Sequence, residues 1–121
     1  MSECDILVLE DEAFIAMDIG MTLADAGYKN IAICHTVVEA MEQIDKGNPK
    51  IALLDFNLGK DATSVPVAER LSQSDVPVVF LSGYTEFTVE IPDGLSNAQR
   101  LAKPFRSAEL VEQVERVLGG S

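Results

Sequence analysis

The sequence predicts an α/β domain built on a doubly wound parallel sheet with helices on both faces. Short, almost uninterrupted aliphatic runs recur along the chain, and the stretches between them carry the three-to-four-residue apolar spacing of amphipathic helices. Strands with one wet face alternate apolar and polar side chains, whereas runs without alternation are buried on both faces, as in a parallel sheet between helix layers. At 121 residues the chain has room for one such core and not for two.

The first strand is "DILVL" (5 to 9). The helix after it, in "EAFIAMDIGMTLADAGY", sets Ile15, Ile19, Leu23 and Ala26 on one stripe, and Gly27 sits where a C-terminal stop belongs. "NIAIC" (30 to 34) is the second strand. Thr36 followed by Glu39 reads as a capping box, opening a helix that turns Val37, Met41 and Ile44 inward. "KIALLDF" (50 to 56) and "VPVVFL" (76 to 81) are the third and fourth strands. The fifth, "QRLAK" (99 to 103), is short and polar enough for an edge. A last helix with Ser107 as its N-cap aligns Leu110, Val111, Val114, Val117 and Leu118. The stretch "TEFTVEIPDGLSNAQ" (85 to 99) resists the pattern. Thr88, Val89 and Ile91 followed by Pro92 and Gly94 permit about one helical turn, so a fourth helix there is expected to be short or mobile.

With 47% hydrophobic and 24% charged residues the composition is that of an ordinary globular domain. A formal net charge of −11 argues against nucleic acid, whose phosphates are bound by clustered Lys and Arg. "MSECDILVLEDE" has no basic start and no long apolar run, so a cytoplasmic protein without signal peptide or membrane contact is expected. Cys4 and Cys34 read as small buried or half-buried residues rather than a disulfide. His35, the only histidine, reads as a surface loop residue, and Met17, Met21 and Met41 as core or rim packing. The closing "GGS" reads as a frayed end, and residues 1–121 as one unit without an output domain.

The stretch "ILVLEDEAF" runs a buried strand straight into acids. In a doubly wound sheet ligands sit beyond the carboxyl ends of the strands, where the strand order reverses. Glu10 and Asp11 stand at the end of the first strand and Asp55 at the end of the third, which should be its neighbour. Carboxylates gathered this way repel one another unless a cation neutralises them. An all-oxygen set with few protein groups suits Mg²⁺, with a phosphoryl group as the second occupant. Ser82 from the fourth strand and Lys103 from the fifth would complement phosphoryl oxygens.

Glu10-Asp11 after strand one, Asp55 after strand three, Ser82-Gly83 after strand four and Lys103-Pro104-Phe105 after strand five together resemble a two-component response-regulator receiver domain, over the whole chain. None of the four motifs is specific alone, and their order at the strand ends makes the resemblance. It implies a flavodoxin-like five-stranded sheet of order 2-1-3-4-5. It also implies a signalling switch that catalyses its own phosphorylation and dephosphorylation rather than an enzyme with a separate substrate. Asp55 would be the phosphoacceptor, with Ser82 and Lys103 serving the transfer. Mg²⁺ would be held by Asp11, Asp55 and the backbone carbonyl of Asn57, with Glu10 acting through water. The phosphodonor would be a sensor histidine kinase or a His-phosphotransfer protein. The output would be protein contact or phosphorelay, by a monomer or weak dimer, through the segment after Ser82, the edge strand and the last helix.

Two positions depart from the family pattern. Arg100 stands where many receivers have an aromatic switch residue, three before the lysine. "FLSGYTEF" is similar to the Phe-Ala-Thr-Gly-X-Tyr-like signature of a subgroup of stand-alone receivers, although Leu81 and Ser82 differ and no extra residue precedes Tyr84. That likeness makes Tyr84 or the segment after it the moving element, with Phe105 and Arg100 at the interface, and gives the Tyr84 ring a part in slowing self-hydrolysis.

Three other readings are weaker. A phosphatase with an Asp nucleophile would carry it after the first strand. A flavodoxin-like cofactor protein would need a Ser/Thr/Gly-rich phosphate loop where "EDEAF" stands, and acids repel phosphate. A degenerate receiver that binds partners without phosphorylation would lack part of the site, yet every residue type is present.

Overall fold

The computed structural model describes residues 5–56, 58, 63–82 and 98–119. The chain runs β1 (Ile6–Leu9), α1 (Ala13–Asp25), β2 (Ile31–Cys34), α2 (Val37–Lys46), β3 (Ile51–Asp55), α3 (Val65–Ser72), β4 (Val78–Ser82), β5 (Gln99–Ala102) and α4 (Ser107–Leu118). The five strands form one parallel sheet in the order β2-β1-β3-β4-β5.

Three of the four aliphatic runs behave as their lack of alternation predicts, and the exception is β2, an edge strand on which Ile33 is exposed. Every residue of β1, β3 and β4 is buried, while the edge strands β2 and β5 keep exposed positions. Side chains that alternate along the strands feed two cores. One face packs Leu7, Leu9, Ala52, Leu54 and Phe80 with Ala40, Ile44, Val67 and Leu71 of α2 and α3. The other packs Ile6, Val8, Ile51, Leu53, Val79 and Leu81 with Ile19 and Leu23 of α1 and Leu110 and Val114 of α4. Phe56 meets Phe80 edge to face, with centroids 5.5 Å apart.

The helix signals resolve into specific contacts. Gly27 takes φ +100°, the left-handed geometry that ends α1. Thr36 accepts a hydrogen bond from the Glu39 N–H at 3.1 Å, and the Glu39 carboxylate reaches past the cap to accept from the His35 N–H at 2.7 Å.

Several expectations need correction. The N-cap of α4 is Arg106, whose N–H donates to the Glu109 carboxylate at 2.9 Å, and Ser107 is the first helical residue. The α1 stripe is centred on Ala16, Ile19 and Leu23, and Ala26 is exposed as the C-cap. Met17 and Met21 point outward at 55% and 59% exposure and, with Phe14 at 83%, form an apolar strip on the outer side of α1 rather than packing inside. Met41 and Val37 do pack against the core, and Cys34 is buried. Cys4 and the proposed short helix before β5 lie outside the described residues.

Candidate functional site

Strand register assembles the site. Leu9 pairs with Leu54, so the residues that follow them, Glu10 and Asp55, end adjacent strands side by side. The ladder continues one step beyond the strands: the Glu10 N–H donates to the Cys34 carbonyl at 3.0 Å, and the Lys103 N–H to the Ser82 carbonyl at 2.8 Å. Asp55 pairs with Leu81, which puts Ser82 at the same rim from the other side. The sheet order reverses between β1 and β3, and the acids occupy the crevice that this reversal opens.

One carboxylate oxygen from each of Glu10, Asp11 and Asp55 falls in a group whose members all lie within 4.8 Å of one another. Glu10 is fully buried, Asp55 is 4% exposed, and Asp11 faces solvent. The half-buried Lys103 reaches across the end of β4 and places Nζ 3.2 Å from Glu10 Oε2 and 3.2 Å from Asp55 Oδ1. The Lys103–Pro104 peptide bond that follows is cis.

Burial pushes the Asp55 carboxyl up to about 8, a rise reinforced by the neighbouring Glu10 and opposed by Lys103. Burial works against the charge on Lys103, but Asp55 and Glu10 outweigh it, and its pKa ends above the ordinary value. A single ammonium therefore does not satisfy the crevice. Glu10 Oε1 shows this directly, since it is buried without a hydrogen-bond partner among the described residues. Oxygen donors alone, one of them orphaned and one open to water, fit a hard divalent cation such as Mg²⁺.

The geometry brings together Glu10, Asp11, Asp55, Ser82 and Lys103, all expected from the sequence. Arg100 is exposed on β5 opposite Phe80, and Phe105 packs against the core on the α1 and α4 side. Asn57, Gly83 and Tyr84 lie outside the described residues. One neighbour of the site escaped sequence reasoning. His35, read as a plain loop residue, sets its Nδ1 3.1 Å from the Glu10 carbonyl oxygen. Only the position of β2 beside β1 could have signalled it.

Beside Lys103 a hollow of about 410 Å³ opens, walled by Ile15, Asp18, Lys103, Pro104 and Phe105. The model of the family described as the response regulator receiver domain matches residues 6–115. The chain belongs to that family. This receiver domain is 30% identical over 118 residues to the phyllosphere-induced regulator PhyR of Methylorubrum extorquens, covering 94% of the chain and 43% of that protein. It is 28% identical to the transcriptional regulatory protein PdtaR of Mycobacterium tuberculosis, covering 91% of the chain and 54% of that protein. It thus spans about half the length of these curated relatives. Among solved structures, SdrG from Sphingomonas melonis Fr1 is 32% identical with a TM-score of 0.77, each chain covered over 98%. The receiver domain of NtrX from Brucella abortus, 24% identical with a TM-score of 0.85 over 97% of this chain and all of that one, shows the same fold. Among the described residues no helix is long and apolar enough to cross a membrane.

Proposed function

We propose that this receiver domain takes a phosphoryl group onto Asp55 from a phosphohistidine of a sensor histidine kinase or His-phosphotransfer protein, in a Mg²⁺-dependent reaction. The observation that carries the proposal is the setting of Asp55: a buried carboxyl at the sheet's switch point, 3.2 Å from the Lys103 ammonium and grouped with two further carboxyls.

In the transfer an Asp55 oxygen attacks phosphorus, the P–N bond of the phosphohistidine breaks, and its electron pair stays with the departing imidazole. The strand ends hold the Asp55 oxygen at a fixed position, which supplies orientation rather than driving force. Lys103 stabilises the charge spread over the phosphoryl oxygens, and Ser82, at the end of β4, offers a hydroxyl to one of them. Glu10, Asp11 and Asp55 would hold Mg²⁺, with the Asn57 backbone carbonyl as a further ligand. Bound there, the ion neutralises carboxylates and phosphoryl oxygens together. Asp55 must be ionised to attack, and burial beside Glu10 works against that ionisation while the crevice is short of positive charge.

Signal output is proposed to be protein contact or phosphorelay, in the cytoplasm. The outward strip of Phe14, Met17 and Met21 begins beside the acids and supplies apolar area of the kind partners cover. Tyr84, Arg100 and Phe105 are the proposed switch and interface residues, with the charged Arg100 in place of a rotating aromatic.

Intact-mass spectrometry after incubation with acetyl phosphate tests the assignment. One added phosphoryl group is expected with Mg²⁺, and none without Mg²⁺ or in Asp55→Asn. An adduct that forms equally in Asp55→Asn would refute it.

A further inference from the structure

The peptide that joins Glu10 to Asp11 governs where both carboxylates point, and its carbonyl has a side-chain partner. His35 Nδ1 lies 3.1 Å from Glu10 O, and a carbonyl only accepts, so Nδ1 carries the proton and donates. The backbone that carries the imidazole is itself held. The His35 main-chain N–H donates to Glu39 at 2.7 Å, and the Thr36 cap fixes the start of α2 directly behind it. Glu10 is therefore gripped at both backbone groups from β2, its N–H by the Cys34 carbonyl at 3.0 Å and its C=O by His35.

We infer that His35 is a positioning residue for the cation site, fixing the Glu10–Asp11 peptide through its Nδ1–H. The inference rests on the Mg²⁺ reading above and adds to it a residue that touches neither ion nor phosphoryl group. Glu10 needs little help, because its side chain is fully buried and bonded to Lys103. Asp11 is different. It faces solvent, and the direction of its carboxylate depends on the plane of the peptide before it. Partners one shell removed from a metal ligand commonly change affinity ten- to a hundredfold, and a single hydrogen bond at an exposed ring belongs at the low end of that range.

The test is calorimetric titration of Mg²⁺ into the wild-type domain, His35→Ala, His35→Asn and Asp55→Asn, with folding checked by circular dichroism. Asparagine sets an N–H donor at the same bond count from Cα as Nδ1. His35→Ala is expected to bind Mg²⁺ about tenfold more weakly, and His35→Asn within about twofold of wild type. An unchanged affinity in His35→Ala, or an equal loss in both variants, overturns the inference and leaves the metal reading standing. Wild-type binding that is absent, or indifferent to Asp55→Asn, overturns the metal reading and the inference with it.

Discussion

Asp55 holds its proton up to about pH 8, where an ordinary Asp releases it near 3.8. Between those values the folded domain keeps a proton that the unfolded chain has lost, so stability without Mg²⁺ falls as pH rises from about 4 to about 8 and then levels. Urea unfolding in EDTA across this range should show that decline, and Asp55→Asn should flatten it. A second expectation concerns Lys103, the cation that faces both Glu10 and Asp55. Lys103→Ala should slow phosphorylation by acetyl phosphate at saturating Mg²⁺ by about tenfold or more, in line with loss of one preorganised charge in a phosphoryl-transfer site. At this scale the acids were legible because they follow aliphatic runs, and the lysine because it closes the short fifth strand expected at 99 to 103. The pairing of Lys103 with Glu10 was not. Glu10 ends β1, three places from β5 in the sheet, and the two side chains meet above the ends of the strands between them.

The elements carry their own signals in unequal strength. Gly20 sits inside α1, where glycine costs up to about 1 kcal/mol relative to alanine. A Cβ there would meet Ile33 Cδ1 at 3.3 Å, and Ile33 is 36% exposed, so the methyl can swing aside. Gly20→Ala should therefore stabilise the domain by about 0.5 kcal/mol in urea unfolding. Thr36→Ala should cost about 1 kcal/mol through loss of the α2 cap. The start of α2 and the glycine stop of α1 could be read directly from residue types. The start of α4 could not, because an arginine backbone with a glutamate three residues on does the work assigned to Ser107. The helix α3 drew no notice in the sequence, being only Val65–Ser72 with Pro66 in its first turn, where a missing N–H is harmless.

For the molecule as a whole, the central strands dominate. Leu53 is fully buried in the core shared with α1 and α4, and Leu53→Ala should cost about 3 kcal/mol by calorimetry or urea unfolding. Beyond the neighbouring first and third strands, the strand order was legible only through the family resemblance. Polarity marks β5 as an edge, but the aliphatic run "NIAIC" gives no sign that β2 is one too. Edge character also explains why β5 was the faintest strand, since three of its four residues are exposed. Cation binding should act on the whole fold as well. At a Mg²⁺ concentration one hundred times the dissociation constant the domain should gain about 2.7 kcal/mol of stability, a gain that Asp55→Asn should lose.

The central claim is that Asp55 is the residue phosphorylated. The most direct measurement is borohydride reduction of the domain after acetyl phosphate and Mg²⁺, followed by peptide mass spectrometry, because hydride converts an aspartyl phosphate to homoserine. Homoserine at position 55 alone, absent when Mg²⁺ is withheld, is the predicted result. Reduction at Glu10 or Asp11 instead, or a stable adduct on His35 with position 55 intact, would contradict it.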